Sequence, residues 1–155
     1  MKKHIKQIRW PLIAMIIMVC VSGMTSCETI DNGDLDGYWI ITQVDSLQQG
    51  TSYKIREQLK TWSFQAHLAR FFNYNEDTQK TPLMARFEHT DGKLIISEPF
   101  IYNRMEGDIP LTMDSTHYLR PHFINSLPDT FRIEKLDRNK MKIADDVVRL
   151  YFEKY

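Results

Sequence analysis

The residue types that most often do chemistry are all present in this 155-residue chain, but their spacing assembles none of the constellations that catalysis needs. Four histidines follow residue 26: His67, His89, His117 and His122. His117 and His122 stand five apart, which suits neither the i,i+4 pairing of a helix nor the i,i+2 pairing of a strand. No Cys or Glu is close enough in sequence to complete a zinc set. After residue 26, serines occur at 46, 52, 63, 97, 115 and 126, none within a Gly-x-Ser-x-Gly elbow, and six glycines in the whole chain leave few places for such a turn. Glu76-Asp77 and Asp145-Asp146 are adjacent carboxylates that point apart in turn-like stretches, whereas glycoside hydrolysis needs two carboxyls converging across a cleft. No Gly-rich phosphate loop is present. No catalytic residue and no metal ligand are assigned, and no cofactor is implied.

Aromatic residues carry more information. The chain holds 8 Phe, 3 Trp and 7 Tyr. Trp39, Trp62, Phe64, Phe72, Phe87, Phe131 and Phe152 fall on the inferred inward faces of strands, and most of them build the core. A barrel of about eight strands is just wide enough to fill with side chains or to hold one small ligand. The candidate ligand contacts are therefore Trp62, Phe64, Phe72 and Phe87 inside, with Tyr102 and Tyr118 at the mouth beside His117, His122 and Phe123.

The elements that must position these residues read mostly as strands. "GYWIITQVD" (37–45) is rich in aromatic and β-branched types. "TWSFQAHL" (61–68) alternates with Trp62, Phe64, Ala66 and Leu68 on one face and His67 toward solvent. The same parity runs on to Phe72 and Tyr74, giving one long bent strand or two. "PLMARFEHT" and "KLIISEP" flank Asp91-Gly92, a pair suited to a tight hairpin. "DTFRIEKL" and "KMKIA" flank "DRN" in the same way, and "VVRLYFEKY" closes the chain with Val148, Leu150 and Phe152 on one face. Residues 46–60 read as a crossover loop with room for a short helix over "YKIREQLK". Residues 98–128 hold four prolines and one expected helical turn in "DSTHYLRPHFI", capped by Asp114 or Ser115. A connection of that length acts as a lid, a mouth or a plug. The prediction is an all-β antiparallel meander over 37–155 forming one barrel or half-barrel of about eight strands.

The N-terminus has a different character. Lys2, Lys3, Lys6 and Arg9 precede an uncharged apolar run, "PLIAMIIMVCV", and then the small residues of "SGMTSC". The apolar run is too short for a membrane-spanning helix, which needs roughly 20 residues, and suits a secretory leader. "MTSC" resembles the lipobox of bacterial lipoproteins, with Met24 where Leu is usual. Cys20 follows β-branched Val19 and is leader filler. The resemblance implies a signal peptide over 1–26, Cys27 as the lipidated first residue of the mature chain, and a short acidic tether, extended and mobile, over 27–36. It places the protein in the cell envelope, held to the outer membrane through its N-terminal lipid and facing the periplasm or the surface. Acidic residues after the cysteine are also similar to an export signal of Bacteroidetes lipoproteins. With one acylated cysteine left, no disulfide is expected. All 20 acids lie after residue 26 and four of the 20 basic residues before it, so the mature charge is about −4, which argues against a nucleic-acid partner.

Gly37-Tyr38-Trp39 opening such a meander resembles the lipocalin pattern. The likeness is closer to the lipocalin-like domains of unknown function on Bacteroidetes lipoproteins, which share the lipobox, the acidic tether and a closing Phe-x-Lys such as that in "YFEKY". That resemblance implies that Trp39 packs across the closed end of the barrel beneath a basic side chain from the last strand. Arg149 is the candidate, yet parity sets it opposite Val148, Leu150 and Phe152, so it either points outward or is turned in by a bulge. The function expected is binding of a small apolar or amphipathic ligand. The alternatives are a non-catalytic module docking another envelope protein or a glycan and, third, a hydrolase with unrecognised carboxylates.

Overall fold

Residues of high strand propensity, alternating inward and outward, wind into one closed sheet. The computed structural model describes residues 31–75 and 83–155; the expected leader, Cys27 and the Glu76-Asp77 pair lie outside the described residues. The strands are β1 (Gly37–Ser46), β2 (Thr51–Lys54), β3 (Lys60–Gln65), β4 (Leu68–Asn73), β5 (Leu83–Thr90), β6 (Lys93–Ile101), β7 (Ile109–Pro110), β8 (Asp129–Leu136), β9 (Lys140–Ala144) and β10 (Val148–Lys154). Eight of them form the wall in the order β1, β3, β4, β5, β6, β8, β9, β10, every pair antiparallel. The last returns to the first, from Trp39 opposite Lys154 to Ser46 opposite Val148, which makes the expected barrel a closed one. Short β2 and β7 flank β1 and β6.

Local chemistry explains the turns. Asp91 and Gly92 take φ values of 50° and 71°, the left-handed pair that a two-residue hairpin of the favoured twist requires. At the "DRN" turn, the Asp137 carboxylate accepts the Asn139 and Lys140 amides at 2.9 and 2.8 Å. The register slips between Ile41 and Gln43, and this bulge keeps Val44 in the core cluster with Trp39 and Ile41 although the simple alternation is broken.

Three expectations are corrected. Ala66 has φ 55° and makes a tight turn with His67, so of the two readings open for "TWSFQAHLARFF" it is two strands, and the inward parity expected to run on to Phe72 and Tyr74 changes across the turn. Phe71 and Ala69 enter the core, and Phe72 lies on the outer face. Residues 46–60 form the β1–β2 hairpin and one helical turn, Arg56–Gln58, because "TSYK" pairs with the far half of β1 after the bulge has released it from β3. The last part of the expected tether is folded: Gly33–Leu35 make a helical turn, Leu35 is fully buried, and Asn32 donates to the Asp36 carboxylate and, through Nδ2, to the Ala66 carbonyl at 2.9 Å. An apolar side chain within an acidic stretch supplies the driving force for that docking.

The 102–128 connection covers the opposite end of the barrel. Helical turns at Met113–Ser115 and Arg120–His122 bracket α1 (Thr116–Leu119), where the sequence places a helical turn. Leu111, Leu119, His122 and Ile124 are buried, so of the readings open for this segment the structure favours the plug.

Candidate functional site

The barrel interior is the first place to look, and it is full. Trp62 sits at its centre with no exposed surface. The rings of Phe71, Phe152, Phe131 and Phe64 surround it at centroid distances of 5.0, 5.5, 5.6 and 6.2 Å, all edge-on. Phe64 passes the packing on to Phe87 at 5.1 Å. Edge-to-face contact sets the positive rim of one ring against the negative face of the next, so the cluster gains more than its buried area alone provides. Trp62 Nε1 is buried and has no hydrogen-bond acceptor. Two grooves, of about 870 and 840 Å³, lie against strand ends and turns of the wall; of the rings around Trp62, Phe64 borders the first, and Phe71, Phe131 and Phe152 border neither.

Both ends are closed by side chains. At the end where β1 begins, Trp39 Nε1 donates to the Leu35 carbonyl at 2.7 Å, and Lys154 places its ammonium 4.8 Å from the centroid of the Trp39 ring. Lys154 Nζ also donates to the Asp34 carbonyl at 2.9 Å. Gly37 makes room for this arrangement: it has φ 116°, and a Cβ there would stand 2.9 Å from Lys154 Cε. The basic side chain over Trp39 is thus Lys154. Arg149 points outward, donating to Glu134 through Nε and a terminal nitrogen at 2.9 and 3.0 Å. Those bonds, with help from Arg132 and Lys142, hold the Glu134 carboxyl down to about 2.

At the plugged end, Lys60 Nζ donates to the Pro121 carbonyl at 2.9 Å, and the His122 ring lies 5.9 Å from that of Phe71. Burial, reinforced by the Lys60 charge, lowers the His122 pKa to about 4, so the imidazole is neutral at pH 7. An unfolded histidine titrates near 6.5. Between these values the unfolded chain binds more protons than the folded one, so stability falls as pH drops from about 6.5 toward 4. The loss is on the order of 3 kcal/mol. Urea unfolding at pH 7 and pH 4.5 measures it, and His122→Phe should show a markedly smaller pH dependence than the parent protein.

Among the described residues, Asp145 and Asp129 are taken up by the loops in which they stand. One Asp145 oxygen accepts the Val147 and Val148 amides at 2.7 and 2.5 Å, and the other accepts Asn125 Nδ2 at 3.2 Å. Buried Asp129, its pKa raised chiefly by that burial, accepts the Asn125 and Ser126 amides at 2.6 and 3.3 Å. Both carboxylates staple loops. Among the described residues, no group of three or more His, Cys, Asp or Glu side chains is placed to hold a metal ion.

Of the sequence-derived ligand contacts, the fold brings together Trp62, Phe64 and Phe87. Phe72 is outside, stacked 5.8 Å from Tyr74 and covered by the Arg70 guanidinium at 3.8 Å. Tyr102 lies half-buried beside Arg104 in the long connection, and Tyr118 is exposed on α1 with its ring 4.0 Å from that of His117. The reading missed Phe71, Leu35 and Lys154. The even spacing from Phe152 to Lys154 was the available signal for the last.

A closed eight-stranded meander, with Trp39 sealed beneath a lysine at one end, is the geometry that decides the relationship. The family profile described as a lipocalin-like domain matches residues 21–155. The chain belongs to the lipocalin-like domain family. Among solved structures, this lipocalin-like barrel is similar to a lipocalin-like protein from Bacteroides uniformis, at 18% identity over 79% of this chain and 100% of that one, with a TM-score of 0.56. It is also similar to an uncharacterized protein from Bacteroides eggerthii, at 18% identity over 78% of this chain and 99% of that one, with a TM-score of 0.53. At such identities the likeness establishes the shared fold. No curated protein matches the chain.

Proposed function

We propose that this lipocalin-like barrel is a non-catalytic interaction module, anchored by a lipid on Cys27 to the outer membrane of a bacterial envelope, that meets its partner on its outer surface. The observation that carries this reading is the interior: interlocked rings around Trp62, sealed by Leu35 and Trp39 at one end and by Leu119, His122 and Ile124 at the other. A drug-sized ligand needs a pocket of roughly 300 Å³ or more, and the grooves of that size open on the wall of the barrel, bordered by Phe64 alone of the cluster's rings. The partner is another envelope protein or a glycan. Crosslinking on intact cells should capture a reproducible neighbour, and a barrel that crosslinks to nothing counts against the proposal.

The unpaired Trp62 N–H favours one second reading, a small amphipathic ligand whose acceptor meets that donor once the 102–128 plug is displaced. Native mass spectrometry and titration with a hydrophobic dye separate the two. Stoichiometric retention of a lipid or dye, lost in Trp62→Phe, supports the ligand reading; an empty, non-binding barrel supports the module. The anchor has a separate test. Cys27→Ala should abolish fatty-acid labelling and release the protein from the membrane fraction, and persistent labelling refutes the lipid on Cys27.

A further inference from the structure

The wall of the barrel carries an outward surface of mixed apolar and polar residues at the end nearest the N-terminal segment. Tyr38, Ser63, Arg70, Met84 and Phe100 are successive register partners across β1, β3, β4, β5 and β6. Tyr38 is 52% exposed. The groove of about 870 Å³ is lined there by Tyr38, Leu68, Arg70 and Met84 and reaches Ala66. Ala66 is also the residue whose carbonyl Asn32 grips, so the groove opens where the N-terminal segment meets the barrel. The Arg70 guanidinium lies over the Phe72 ring at 3.8 Å, and its Nε is buried without an acceptor from the protein.

Chain length decides what can cover this surface. From Cys27 to Asn32 is five residue steps, a reach of at most about 18 Å. A lipid on Cys27 therefore keeps this end of the barrel at the bilayer. We propose that the groove faces phospholipid, with Tyr38 at the headgroup level, Leu68 and Met84 against the acyl boundary, and Arg70 offered to a lipid phosphate. Tyrosine suits the interface because its ring is apolar and its hydroxyl stays wet. Guanidinium matches phosphate in charge and in planar donor geometry. The Asp36 carboxylate also lines the groove and is turned toward Asn32, whose backbone and side-chain amides it accepts at 3.0 and 2.6 Å. The proposal rests on the lipidation of Cys27 and adds the orientation in which the anchored barrel lies.

The test uses the mature acylated protein in vesicles of phosphatidylethanolamine and phosphatidylglycerol. With Cys27 acylated, Tyr38→Cys or Met105→Cys introduces the one free thiol for a spin label; Met105 is 95% exposed, in the long connection. The label at 38 should relax several-fold more strongly with oxygen than with a water-soluble nickel chelate, relative to the label at 105. Arg70→Gln should reduce that contrast, and an unchanged contrast overturns the phosphate contact. Equal profiles at 38 and 105, in protein shown by mass spectrometry to carry its lipid, overturn the orientation and leave the anchor standing. Protein found without lipid overturns both. An oxygen preference at 38 that is already present without vesicles places the protein's own acyl chain in the groove and overturns the bilayer assignment.

Discussion

Trp62→Ala should lower the unfolding free energy by about 3–5 kcal/mol, the range for removing a large buried aromatic side chain. A small domain is stable by only about 5–15 kcal/mol in total, so the variant should be partly unfolded at 37 °C or survive only at lower temperature. The size of the effect follows from position. Trp62 has no exposed surface and is the ring that Phe64, Phe71, Phe131 and Phe152 all touch, while those four stand on four different strands, β3, β4, β8 and β10. A sheet closed on itself cannot move inward at one point to fill the hole, so the cavity term is felt nearly in full. Trp62→Phe is the instructive partner. It keeps a ring at the centre and removes an N–H that has no acceptor, a group whose unsatisfied burial costs about 1–3 kcal/mol. The two contributions oppose, and the net loss should be about 1 kcal/mol or less. Urea unfolding followed by far-UV circular dichroism reads both variants; a Trp62→Phe loss as large as that of Trp62→Ala means that the N–H is paired.

The second large effect lies at the end of the core where β1 begins. Leu35→Ala should cost about 2–5 kcal/mol, and the loss should be local before it is global. Leu35 is the one buried side chain of the Gly33–Leu35 turn, and its carbonyl accepts the Trp39 indole N–H. Without the leucine, the segment is held by hydrogen bonds only: those of Asn32 to Asp36 and Ala66, and those of Trp39 and Lys154 to the Leu35 and Asp34 carbonyls. Hydrogen exchange at residues 32–36 should accelerate well beyond that of β3 or β9, and limited proteolysis should nick the chain before Gly37. Uniform exchange across the molecule would show instead that the turn unfolds only with the barrel.

The contrast between Leu35 and the acids around it also shows what was legible from the residues alone. The acidic composition of "ETIDNGDLD" is that of a solvated linker, and composition is blind to a single leucine that finds a hole under a barrel. Hairpins were legible where the turn chemistry is explicit, at Asp91-Gly92 and at "DRN". The β3–β4 turn was not, because Ala66 adopts φ 55° without the Gly or Asn that usually announces a left-handed residue. That one turn carried the error about Phe72, since a change of parity exchanges the two faces of everything after it. The cation over Trp39 illustrates the reverse case. Strand parity argued against Arg149, and continuing the same parity past Phe152 arrives at Lys154. The rings outside β4, Trp39, Trp62, Phe64, Phe87, Phe131 and Phe152, lie inside as alternation places them. Whether they leave room for a guest is a property of how they interlock, which alternation along a strand does not encode.

The pairing of β10 with β1 limits the ways in which anything can attach to this molecule. Many peptide partners bind by adding a strand to a free sheet margin, with backbone hydrogen bonds supplying affinity and side chains selectivity. Here the eight wall strands satisfy one another around the ring, and the flanking strands are β2 and β7, of four and two residues. So little open backbone offers no useful ladder to an extended peptide. Recognition is left to side chains on a curved, preformed surface, where specificity is written in the outward-facing residues and is open to change by single substitutions without disturbing the barrel beneath.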